Sequence, residues 1–122
     1  MLNRNSDTGP LLFVGGRLQA RNVIKGGSRV IVLGDVEASG LVIGDYNHGT
    51  IHIRGDLRAQ AFILLDHDGY VHGKTHAPKL GDMDDPREIL VPEVFEDEDE
   101  EWPSPNVDWL WARQRAGLPI LK

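Results

Sequence analysis

The sequence predicts an all-β fold with a C-terminal helix, built as a short single-domain β-solenoid of three to four coils. Three observations carry that reading. The pattern Gly-x-x-x-Ala occurs as Gly16–Ala20, Gly34–Ala38, Gly55–Ala59 and Gly73–Ala77, at spacings of 18, 21 and 18 residues. Aliphatic residues recur at fixed offsets around each glycine, which marks a repeat rather than a single motif. Helix signals are scarce ahead of the C-terminal segment.

Residues 1–10 are polar and lack an apolar stretch, so they read as a flexible arm and not as a secretory signal. Residues 11–80 hold the coils. Val14, Val32, Ile53 and Val71 stand two before the glycines, and Leu18, Val36, Leu57 and Thr75 two after them. With the alanines four after, this is the period-2 signature of a strand with one buried face. The small Gly and Ala are expected where the chain bends between flat sheets. A second apolar run follows in each unit: Val23-Ile24, Leu41-Val42-Ile43 and Phe62-Ile63-Leu64-Leu65. Turn formers come next, at 26–28, 45–49 and 66–69. Two short strands per unit of about 20 residues describe solenoid coils. A meander of antiparallel hairpins closed by "NHG" and "DHDG" fits less well. Like residues recur at like offsets here; they do not mirror across the turns.

The outward parity has its own pattern. Phe13, Ile31, His52 and Tyr70 stand three before each glycine, beside Gly15, Leu33, Arg54 and His72. Stacked coils would turn them into a partly apolar ladder. Cover by the C-terminal segment is the expected fate of such a ladder; a partner-binding face is the functional alternative.

The repeat stops after Ala77-Pro78. Residues 81–103 read as an acidic linker: positions 82–101 hold eleven acidic residues against one arginine, including the run Glu96–Glu101. Such runs are usually solvated tethers. Residues 104–122 read as an amphipathic helix and tail. Ser104 or Asn106 is the expected cap, Pro105 suits the first turn, and Gly117 suits the position after the last turn. Trp109 or Trp111 with Leu110 and Leu118 gives the apolar face.

Charge divides the same way. Of the net −6, residues 1–80 carry nine Lys/Arg against seven Asp/Glu, and residues 81–122 four against twelve. That balance argues against a nucleic-acid partner and for a basic protein partner. The chain has no cysteine, which excludes disulfides, thiolate zinc sites and cysteine nucleophiles and suits a reducing cytoplasm, the expected location. No apolar run reaches membrane-spanning length, so no membrane partner is expected.

Catalytic signatures are missing. There is no Gly-x-Ser-x-Gly elbow, no phosphate-binding loop and no dinucleotide fingerprint, so neither catalytic residues nor a cofactor is expected. Left-handed hexapeptide acyltransferases are also parallel β-helices, but their six-residue aliphatic repeat is not sustained here. Asp45 and Asp66 both fall eleven residues after their glycine and should stack. With His48, His67, Asp68 and His72 they offer an oxygen/nitrogen metal set. These are also ordinary turn formers at no known ligand spacing, and no metal site is expected.

The Gly-Asp-Leu-x-Ala phrases and the "DYNHG" and "LLDHDG" turns resemble short bacterial β-helix proteins of the polymer-forming, bactofilin-like type. A closer likeness, over about residues 11–122, is to uncharacterised bacterial proteins of similar length. Those join such coils to an acidic linker of the "LVPEVF" type and a helix ending like "AGLPIL". Such relatives often occur near polymorphic toxins, so the resemblance implies an immunity protein. Bactofilins proper share only the coils; they polymerise through stacked coil ends and have no long acidic tail with a helix.

The expectation is therefore a non-catalytic protein-binding module, an immunity protein for a cognate toxin with a basic active-site cleft. Clustered carboxylates would mimic phosphates or plug that cleft, while an outward solenoid face supplies further contact. The expected contact residues are Phe13, His52, Tyr70, Glu96, Asp97, Glu98, Asp99, Glu100, Glu101, Trp109 and Trp111. The alternative is a self-associating bactofilin-like scaffold, a homo-oligomer joined through coil ends or Trp109/Trp111.

Overall fold

The computed structural model describes residues 2–3, 12–26, 29–45, 49–65, 67–81, 84–97 and 103–122. The chain forms two compact units, Met1–Asp82 and Met83–Lys122.

The first unit is a β-solenoid of about three turns. It opens with β1 (Leu2–Asn3), inside the arm expected to be flexible. Four sets of three strands follow: β2 (Leu12–Val14), β3 (Leu18–Ala20) and β4 (Val23–Lys25); β5 (Arg29–Val32), β6 (Val36–Ala38) and β7 (Leu41–Asp45); β8 (Thr50–Ile53), β9 (Leu57–Arg58) and β10 (Ala61–Leu65); β11 (Asp68–Val71), β12 (Thr75–His76) and β13 (Lys79–Leu80). They stack into three parallel sheets: sheet A, β1-β4-β7-β10-β13; sheet B, β2-β5-β8-β11; and sheet C, β3-β6-β9-β12.

Each coil thus has three strands where the sequence predicted two. The expected first strand, running through the glycine, is two strands that meet at a corner. Inward parity continues across that corner, so Val32 and Val36 point into one core. Gly34 donates to the Gly16 carbonyl, Gly55 to Gly34 and Gly73 to Gly55, each at 3.0 Å. The neighbouring aspartates join coil to coil: Asp35 Oδ1 accepts from the Asp56 N–H at 2.7 Å, and Asp56 Oδ1 accepts from the Lys74 N–H at 2.8 Å. A Cβ on Gly55 would run into Asp35 Oδ1 and lie 2.8 Å from the Gly34 carbonyl carbon. Glycine is required there so that the lower coil's carboxylate can reach the upper coil's amide.

Inward positions fill one hydrophobic core that includes Val23, Val30, Val36, Val42, Ile51, Ile53, Leu57 and Phe62. Each such side chain contributes roughly 1.5–3 kcal/mol by leaving water. Sheet A is apolar along both parities, and its residues 41–44 and 61–64 are all buried, the continuous pattern of a strand covered on both sides.

The second unit corrects the expected linker at 81–103, part of which is folded. Asp85 caps helix α1 (Pro86–Ile89), accepting from the Arg87 N–H at 3.0 Å and pairing with its guanidinium at 3.0 Å. That pairing holds the Asp85 carboxyl below its ordinary pKa. A 3-10 turn, Pro92–Val94, follows. Helix α2 (Val107–Arg115) is capped by Asn106, whose side chain accepts from the Trp109 N–H at 3.1 Å. Pro105 therefore precedes the cap and is not in the first turn. Gly117 takes its expected place after the helix, at φ +74°. Leu90 bridges Leu121 antiparallel, which ties the two ends of the unit together. No described helix is long and apolar enough to cross a membrane.

Candidate functional site

The outward ladder forms as the spacing predicted. In sheet B, Phe13 pairs with Ile31, Ile31 with His52, and His52 with Tyr70. Four side chains from residues far apart in sequence therefore stand in one row. The His52 and Tyr70 rings stack with centroids 4.7 Å apart and planes 26° from parallel. On this row Phe13 is 57 % and Tyr70 49 % exposed. One position further along the same parity, Leu33 is 41 % exposed, beside exposed Arg54 and His72. On the other side of the row stand Arg29, Thr50 and Asp68, which pair in register.

Sheet C differs. Its outward row is Gln19, Glu37, Arg58 and His76, polar throughout. Gln19 Nε2 donates to Glu37 Oε2 at 2.9 Å, and Arg17 pairs with Glu37 at 3.5 Å. Beside this row lies an open hollow of about 520 Å³ lined by Gln19, Arg21, Glu37, Ser39 and Arg58, with the methyl groups of Ala20 and Ala38. The same strand geometry thus carries a polar outer row in one sheet and an aromatic, aliphatic row in the next.

Inside the solenoid lies a polar pair that sequence reasoning missed. Lys25 is fully buried and faces inward, in the parity of Val23. Its Nζ is 2.7 Å from His67 Nε2 and donates to the Gly26 carbonyl at 2.8 Å. Burial pushes its pKa down to about 8. The His67 ring occupies space left by Gly44 and Gly49; a Cβ on either would come within 2.8 Å of it. The pair links the first coil to the turn before the last, and both side chains are buried. The available signal was parity: Lys25 continues the run Val23-Ile24 at an inward position.

The turn residues considered for metal do not align as expected. Asp45 pairs with Leu65, one residue short of Asp66, because the corner from sheet C to sheet A is one residue longer in the second coil than in the third. His67 is turned inward, while Asp68 sits on the exposed side of β11. Among the described residues no three His, Asp or Glu side chains gather at metal-binding range. His48 and Asp66 lie outside them.

Of the acidic run, Glu96 and Asp97 are exposed, and Glu98, Asp99, Glu100 and Glu101 lie outside the described residues. In α2 the buried residues are Val107 and Leu110. Trp109 is 40 % exposed, and Trp111 lies under the Arg115 guanidinium, 5.1 Å from the ring centroid. Leu118, expected on the apolar face, is exposed. Compared with protein-family models, curated proteins and solved structures, the chain finds no match.

Proposed function

We propose that this chain is a non-catalytic protein-binding module that docks its partner on the outer face of sheet B. One observation supports this above the others. Among the described residues of the solenoid, the exposed large hydrophobics, Phe13, Leu33 and Tyr70, all lie on that face. Soluble chains rarely gather exposed apolar side chains on one flat surface without a contact to serve. Aromatic side chains held rigid by a sheet are the usual anchors of such contacts. Following the resemblance, the partner is a cognate bacterial toxin met in the cytoplasm, and the protein acts as its immunity factor. The acidic segment that includes Glu96 and Asp97 adds a second contact, to basic groups of the toxin.

The test is co-expression with the toxin encoded beside it, with growth as the readout. The native chain rescues growth. The double variant Phe13→Ala/Tyr70→Ala loses rescue while keeping its circular dichroism and melting temperature, since both side chains are exposed. Rescue undiminished in that variant rules out this face as the contact.

A second reading, the self-associating scaffold, rests on a different observation: among the described residues β11 and β12 end their sheets, leaving one strand edge each to pair. It predicts large assemblies that grow with concentration in light scattering. A size that does not change with concentration removes it.

A further inference from the structure

We infer that the outer face of sheet B receives a protein surface in which an apolar patch lies between two carboxylates. This rests on the docking reading above and names the partner's chemistry at that same face. The face has three parallel rows. Arg29, Thr50 and Asp68 form one; Phe13, Ile31, His52 and Tyr70 the middle one; Gly15, Leu33, Arg54 and His72 the third. Arg29 and Arg54 are both exposed and stand on opposite sides of the aromatic row.

Neither guanidinium has a hydrogen bond or ion pair with the described residues. Arg17 pairs with Glu37 at 3.5 Å and Arg87 with Asp85 at 3.0 Å, whereas Arg58 on sheet C, like Arg29 and Arg54, is exposed and has no ion pair with the described residues. Asp68 does not neutralise Arg29. The two are two rungs apart, about 10 Å, where two charges in water interact by only ~0.4 kcal/mol before salt screening reduces it further. The face therefore offers two unpaired cations around an apolar centre. Its complement is an apolar centre with two anions. Arg54 occupies the position equivalent to Leu33, four residues along the strand from Arg29 and one rung over. The two Cα positions are thus about 14 Å apart, which sets the spacing of the partner's carboxylates.

Other occupants fit less well. Binding to a nucleic-acid backbone draws its affinity from many phosphate contacts, and two cations on a chain of net charge −6 supply few. A second copy docked through the same face would set two net-positive surfaces against each other.

The probes are short synthetic peptides that share a Leu-Phe-Leu centre and differ only in flanking Glu, Lys or Gln. Binding to the full chain is read by fluorescence anisotropy at low and at about 0.3 M salt. The Glu-flanked peptide is expected to bind roughly tenfold more tightly than the Lys-flanked one, with the advantage shrinking in salt. Arg29→Glu/Arg54→Glu reverses the order, and Phe13→Ala/Tyr70→Ala abolishes binding of the Glu-flanked peptide. Circular dichroism confirms that both variants are folded. Equal affinities, a Lys preference, or no binding by any peptide overturns the acidic-partner inference. If Phe13→Ala/Tyr70→Ala still abolishes toxin rescue in that case, the docking face itself stands. Peptide binding that survives Phe13→Ala/Tyr70→Ala overturns both. A single-stranded oligonucleotide that binds more tightly through the same residues, or dimerisation lost in Phe13→Ala/Tyr70→Ala, replaces the acidic partner with that occupant.

Discussion

Raising the pH is expected to stabilise the solenoid over a range in which most proteins lose stability. The cause is Lys25, whose ammonium is buried with only the Gly26 carbonyl and His67 Nε2 as partners. Its pKa falls from 10.5 in the open chain to about 8 in the fold. Below about pH 8 the lysine is protonated in both states, and folding bears the full cost of burying the charge. Between 8 and 10.5 the unfolded chain binds more protons than the folded one, so stability rises with pH. At 1.36 kcal/mol per pKa unit the gain across that range is about 3 kcal/mol.

Lys25→Met isolates this effect. Methionine keeps the length and removes the charge, at the cost of leaving the Gly26 carbonyl and His67 Nε2 without their donor, roughly 1–3 kcal/mol. At neutral pH that loss opposes the relief of the buried charge, so the two chains are expected to be of similar stability. The slope with pH is the decisive quantity. Urea denaturation should be followed by circular dichroism at the β-sheet minimum, which reads the solenoid strands directly, because Trp102, Trp109 and Trp111 all lie after residue 82. The stability of the native chain relative to Lys25→Met is expected to rise by about 3 kcal/mol between pH 7.5 and 10.5. Other ionisations shared by the two chains cancel in that difference. Parallel curves would refute the burial of a charged Lys25.

Two further substitutions test the frame. Gly55→Ala pushes a methyl group into Asp35 Oδ1 and the Gly34 carbonyl; urea denaturation should show a loss of roughly 1–3 kcal/mol. Gly16→Ala, with nothing within 4 Å of the new carbon, should change stability by less than about 0.5 kcal/mol. Asn106→Ala removes the cap of α2 and should cost about 1 kcal/mol, visible in tryptophan fluorescence.

How much of this was legible depended on which residues repeat. The sheet B register, Phe13 to Ile31 to His52 to Tyr70, follows directly from glycine spacing, because each glycine occupies the same corner of its coil. The corner itself was hidden. Val14, Gly16 and Leu18 keep a period of two while the chain turns from sheet B to sheet C, so one strand and two strands look alike in sequence. Asp45 and Asp66 misaligned because the corner between β6 and β7 holds one residue more than the corner between β9 and β10, and corner length leaves no mark in the strand pattern. The run Val23-Ile24 was ended before Lys25, and His67 was read as a turn former or metal ligand, although parity placed the lysine inside. In 81–103 the density of acids masked Asp85-Pro86, a cap and first-turn pair, and the buried Leu90, Val94 and Phe95 behind it.

A solenoid constrains its inward positions and leaves its outward ones nearly free, which gives the comparison between sheets B and C its weight. Both are parallel, four-stranded and stacked in the same coils. Folding is satisfied in sheet C by Gln19, Glu37, Arg58 and His76, so polar side chains are adequate on an outer row. Sheet B, under the same demand, carries Phe13, Ile31, His52 and Tyr70 instead. β-Propensity favours aromatic and branched residues by at most about 1 kcal/mol per position, and exposing such side chains brings a risk of aggregation. Propensity also gives no reason for Arg29 and Arg54 to flank an apolar row, whereas Arg58 in sheet C stands within a polar one. The proposed contact with another surface accounts for the apolar centre and for the cations that flank it, and stability alone gives no reason for the apolar centre.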